Sequence, residues 1–167
     1  MSLDPPQYRK IVEEFTASLQ KVPEKLTAVR LAADKWSLRE IVGHLVDSAS
    51  NNHQRFVRLQ DSDHLQFPGY QAERWLEIQR PGQLPWPTLL ALWQSYNALL
   101  LHLAAGARPE CLGNVWETPE GPRSLEFLIA DYYRHLAEHA EHFRGRLDEV
   151  RAAAAKKQQR GGLPRRA

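Results

Sequence analysis

The chain has 167 residues, 43% hydrophobic and 25% charged, enough for one domain with a core and too few for two comfortable ones. The net charge of +2 is unevenly spread: residues 151–167 hold Arg151, Lys156, Lys157, Arg160, Arg165 and Arg166 with no acid, which leaves residues 1–150 at −4. A mildly acidic body argues against a nucleic-acid groove, and no apolar run approaches the ~20 residues of a membrane helix.

The chain begins MSLDPPQYRK, with no apolar segment of the secretory kind. Pro5 and Pro6 suit the first turn of a helix carrying Tyr8, Ile11, Val12, Phe15 and Leu19 and ending before Pro23. A short helical turn is expected around 23–29. The second long helix has the clearest start, because Ser37 and Glu40 stand at capping-box spacing. Leu38, Ile41, Val42, Leu45, Ala49, Phe56 and Leu59 carry its apolar period to about Gln60. Residues 61–86 read as irregular, with a short helix near 71–80. A third long helix opens at Pro87 or Thr88 and runs to about Ala105, with Leu89, Leu92, Trp93, Tyr96, Leu99, Leu100 and Leu103 inward. Residues 106–123 form a loop. It contains Cys111, the lone cysteine, which rules out an intramolecular disulfide and fits a reducing, cytoplasmic setting. With no neighbouring base, Cys111 is a poor candidate nucleophile. The last long helix starts near Ser124 and is expected to fade in the AAAAKKQQ run. The fold expected is all-α, a four-helix bundle over 1–150 with longer irregular connections, followed by a basic, disordered tail over 151–167.

His135, His139 and His142 crowd the last helix. Leu125, Leu128 and Tyr132 define its inward stripe, and steps of three and four continue that stripe through 135, 139 and 142. Histidines therefore stand where a bundle normally places leucine. Buried imidazoles need partners for their ring nitrogens. A divalent metal is one such partner, and two histidines at i, i+4 form a half-site. Hydrogen bonding to neighbouring helices, or partial exposure, is the alternative. A third ligand would come from another helix, and His44 is the best candidate, aligned with Ile41, Ser48, Asn51 and Arg55. Asp47 stands one turn away and is either an orienting partner for an imidazole or an ordinary acid. His53, His64 and His102 have no partners at metal spacing.

KWSLREIVGHLVDS (35–48), FPGYQAERWLE (67–77), LLALWQSYNALL (89–100) and DYYRHLAEHAEHF (131–143) together resemble the DinB-like superfamily. More narrowly they are similar to its YfiT branch of metal-dependent hydrolases, which includes bacterial thiol S-transferases. The resemblance implies a four-helix bundle with one divalent ion, Zn or Ni, held by His44, His135 and His139, with His142 of uncertain role. It implies a small-molecule substrate, either hydrolysed or, if a low-molecular-weight thiol, conjugated. Charge and hydropathy point to no nucleic-acid and no membrane partner, and the resemblance makes a homodimer plausible, since such bundles often pair. Asn51 and Arg55 are the substrate-contact candidates, Asn51 for a polar group and Arg55 for a carboxylate, the alternative for Arg55 being an ion pair with an acid at the rim. The competing reading is a non-catalytic, stress-related metal-binding bundle, in which His142 or Asp131 would close the site as a fourth ligand.

Overall fold

The computed structural model describes residues 3–161. Helix α1 spans Pro5–Gln20, begins with two prolines, and is capped by Asp4, whose side chain accepts from the Gln7 N–H at 3.1 Å. Its inward face is Tyr8, Val12, Phe15 and Leu19. A single turn, α2 (Glu24–Thr27), follows. Helix α3 (Leu38–Asp61) starts at Ser37 with the reciprocal capping box to Glu40. Arg39 then ties this end of α3 to its surroundings, donating to Thr27 Oγ1 and the Leu84 carbonyl and pairing with Glu24.

Helix α4 (Ala72–Gln79) lies in the first long connection and ends on Arg80, a non-glycine residue in the left-handed region at φ 50°. A 3-10 turn at Pro81–Gln83 leads into α5 (Trp86–Ala105). Helix α6 starts at Leu125 and runs to Gly161. The four long helices α1, α3, α5 and α6 enclose one core. In it Trp93 and Phe143 meet Phe15 edge-on, and Tyr8 stacks on Tyr133 with ring centres 4.2 Å apart. A buried Asn97 joins α5 to α6, accepting from the Tyr132 hydroxyl at 2.8 Å.

Three features depart from the sequence reading. The two long connections pair as a small sheet. Strand β1 (His64–Gln66) runs parallel to β2 (Val115–Glu117), with Leu65 opposite Trp116, and β2 pairs antiparallel with β3 (Arg123–Ser124). Two or three residues are too few to display an alternating pattern. Leu92 and Leu99, expected inward on α5, are 43% and 39% exposed. Each precedes a fully buried residue, Trp93 or Leu100, and so is turned about 100° from it. Residues 151–161, expected to belong to the disordered tail, continue the last helix. Four alanines at 152–155, the best helix formers, carry it on past the buried Val150 to Gly161. The rest of the expected tail, 162–167, lies outside the described residues. Among the described residues, no helix is long and apolar enough to cross a membrane.

Candidate metal centre

The site is built where α3 and α6 cross. His44 sits two turns into α3 and is 7% exposed. The residue before it, Gly43, is where the Pro81–Gln83 turn presses on α3. A Cβ at Gly43 would lie 2.6 Å from the Pro81 side chain, so only glycine admits this approach beside His44. Trp36 and Tyr70 flank the His44 ring at 5.3 and 6.5 Å between centres.

On α6, His135 and His139 continue the stripe of Leu128 and Tyr132, both buried. Their ring centres are 4.4 Å apart and lie 5.6 and 4.8 Å from that of His44. One nitrogen from each of the three rings can be chosen so that all lie within 4.8 Å of one another. The Nδ1 atoms of His44 and His139 are buried without a hydrogen-bond partner, so the protein itself leaves these polar atoms unsatisfied. Burial, reinforced by the charge of His135, pushes the His44 pKa down to about 4, against a weaker upward pull from Glu73. Burial and the neighbouring histidines hold His139 at about 4, and burial lowers His135. Near pH 7 the three rings are therefore neutral, the form that offers lone pairs to a cation. Orphaned nitrogens, neutral rings and a three-nitrogen donor set fit one divalent ion.

The candidate fourth ligands stay outside this group. The His142 ring is 6.1 Å from that of His139, and its Nε2 faces Arg146 Nη2 at 3.5 Å. Arg146 also donates to the Trp36 carbonyl and pairs with Glu149, fixing the loop before α3 against α6. Asp131 pairs with Arg134. Asp47 is buried and accepts from Gln79 Nε2 at 2.7 Å, so it holds α4 and does not orient an imidazole. Cys111 is buried against the Gln60 carbonyl, sixteen residues and roughly 24 Å along α3 from His44. His64 faces Glu117, and His53 stands beside Tyr96.

A cavity of about 480 Å³ runs from His135 along α3. Its α3 wall is Ser48, Asn52 and Arg55, and its far wall includes Tyr70, Trp116 and Tyr132. Of the two substrate-contact candidates, Arg55 lines this cavity. Asn51 is not on the wall: its amide donates back to the Asp47 carbonyl at 2.9 Å, and Asn52 takes its place. Relative to His44, Asn51 is rotated about 20° one way around α3, while Ser48, Asn52 and Arg55 are rotated the other way. Trp116 is one of five tryptophans open to a wall or a packing role, and nothing local singles it or Tyr70 out, since both reach the cavity from the long connections.

The family model described as the DinB superfamily matches residues 7–156. The chain belongs to the DinB superfamily. This DinB-superfamily chain is 25% identical over 130 residues to a Bacillus cereus protein provisionally named a metal-dependent hydrolase, covering 77% of the chain and 75% of the relative. A Bacillus mycoides protein with the same provisional name is 23% identical over 145 residues, covering 80% and 83%. The fold is similar to that of YfiT from Bacillus subtilis, described provisionally as a metal-dependent hydrolase with an unusual four-helix bundle topology. That likeness has a TM-score of 0.74 at 19% identity and covers 92% of this chain and 91% of YfiT.

Proposed function

We propose that this DinB-superfamily protein is a cytoplasmic, metal-dependent hydrolase of a small polar molecule, holding one Zn or Ni ion on His44, His135 and His139. The observation that carries the reading is the convergence of three neutral imidazoles from two helices, one of which, His135, lines a cavity. The provisional naming of the Bacillus relatives supports the same chemistry. When bound, such an ion supplies Lewis acidity, by which a water or a thiol becomes a nucleophile near neutral pH.

The chain's own groups prepare the rest. Trp36 and Tyr70 screen His44 from bulk water. Burial raises the Tyr70 pKa, so its hydroxyl stays protonated and donates near neutral pH. Ser48 and Asn52 bring polar side chains to the wall between the histidines and Arg55. Arg134 is held by Asp131 and Glu138, which fixes its charge at the rim.

The test begins with elemental analysis of protein purified without a His-tag, beside the His139→Ala variant. The reading expects about one divalent ion per chain, lost in the variant, and metal-dependent cleavage within a panel of small esters and amides. Consumption of a low-molecular-weight thiol without hydrolysis would assign thiol S-transfer instead. Metal without either activity would leave a binding bundle. No metal, even after incubation with Zn and Ni, would overturn the site.

A further inference from the structure

Arg55 is 7% exposed, yet no carboxylate among the described residues pairs with it. Its guanidinium lies 3.9 Å from the centre of the Trp116 ring, and Nη1 donates to Asn52 Oδ1 at 3.4 Å. Nε is buried with no partner at all. Arginine does not release its proton in proteins, so this is a permanent cation held by the Trp116 face, the Phe67 ring at 6.0 Å and one amide oxygen. The contrast with its neighbours is informative. Buried Arg146 has Glu149, the largely buried Arg39 has Glu24, and Arg134 on the same cavity has two acids. A buried charge without a counter-charge is stabilised by any anion that can reach it.

The cavity gives such an anion a route. His44, Ser48, Asn52 and Arg55 follow at helical spacing along α3, and the last three line the cavity with His135. Side chains on a helix lean toward its N-terminus, which carries the long Arg55 side chain back toward the histidines. The Cα atoms of His44 and Arg55 are roughly 16 Å apart along the axis. Trp116, Tyr70 and Tyr132 offer apolar surface over that interval. A planar guanidinium fork matches a carboxylate better than it matches a neutral group.

We infer that Arg55 is the carboxylate-binding residue of this cavity, and that the substrate class is small carboxylic acids whose charged end docks on Arg55 while the reacting end reaches the three histidines. The second half rests on the hydrolase reading; the first does not.

The test uses the full chain stripped of metal by chelator, with benzoate and its uncharged isostere benzamide as probes. Binding is followed by calorimetry and by tryptophan fluorescence, to which Trp116 contributes. Benzoate should bind about tenfold tighter than benzamide or better. Arg55→Met should abolish that preference, and His142→Ala, at a ring that faces Arg146 outside the cavity, should keep it. Equal affinity for the two probes, no binding of benzoate, or a preference that survives Arg55→Met would overturn the assignment. So would inorganic phosphate binding to Arg55 more tightly than benzoate. Should Arg55→Met fail to fold, the arginine Nε–H resonances of the wild-type chain decide. One of them should shift with benzoate and not with benzamide, and the absence of such a shift refutes the proposal. Because the protein is metal-free throughout, a failed metal analysis would sink the hydrolase reading and leave this result standing.

Discussion

Gln79 Nε2 donates to Asp47 Oδ1 at 2.7 Å, and this bond fastens α4 over α3 one turn beyond His44. Asp47 is buried, and burial raises its pKa, with the Gln79 bond opposing. A carboxyl group whose folded pKa is raised binds more protons folded than unfolded just above its ordinary value. Its contribution to stability therefore falls as pH rises through that interval and stays lost at pH 7. Asp47→Asn keeps an oxygen for Gln79 and removes the buried charge. The variant should melt slightly higher than wild type at pH 7 and bind the same amount of metal. A loss of metal in Asp47→Asn, read by elemental analysis, would mean that the acid orients a histidine after all.

Metal should stabilise the fold through the three rings together. A ligand present at 100 times its dissociation constant stabilises by about 2.7 kcal/mol. For a domain of this size that is a rise in Tm of roughly 5–10 °C. Adding Zn or Ni to chelator-treated protein should produce such a rise in a thermal-shift assay. His44→Ala and His135→Ala should each abolish it, because each removes one of the three donors grouped among the described residues. His142→Ala should retain it, since that ring faces Arg146 rather than the cluster. A His142→Ala variant with no metal-induced shift would place a fourth histidine in the site.

The parts of this architecture that were legible in sequence are the local ones. The Ser37–Glu40 cap and the run of His135 and His139 on a leucine stripe each depend on residues within one or two turns. His44 was legible because a helix converts spacing into a face. Nearby choices around that helix were not resolved: Asn51 and Asn52 are adjacent, and which one meets the cavity depends on where Tyr70 and Trp116 arrive from other segments. The same holds for Trp116 over Arg55 and for Leu65 opposite Trp116, contacts between residues more than fifty positions apart. Asp47 reads from sequence as an imidazole's partner or as an ordinary acid, and only the placement of α4 gives it to Gln79. Leu92 and Leu99 misled because α5 carries more apolar residues than one face can bury.

The metal-free protein should lose stability on mild acidification. His44 and His139 titrate near pH 4 when folded and near the ordinary 6.5 when unfolded. Between these values the unfolded chain binds more protons, so stability falls as pH falls, beginning near 6.5 and continuing to about 4. Melting of chelator-treated protein at pH 7 and pH 5 should show this drop. It should be smaller in His139→Ala, which removes one titrating ring and relieves its neighbours. Equal drops in the two proteins would assign the acid sensitivity to other groups.

Gly43 is the residue through which packing and site geometry meet. A methyl group there would stand 2.6 Å from both Cβ and Cγ of Pro81, a ring with little freedom to move aside. Either the Pro81–Gln83 turn shifts outward or α3 rotates, and the second alternative turns His44 away from His135 and His139. Helix propensity alone would favour alanine by close to 1 kcal/mol. The clash opposes it, and overpacking of this kind typically destabilises by about 1–3 kcal/mol. Gly43→Ala should therefore melt at or below the wild-type temperature despite its better helix former. It should also bind metal more weakly while all three ligands remain. If Gly43→Ala instead gains stability and keeps full metal affinity, the Pro81 turn is free to move, and the position of His44 does not depend on it.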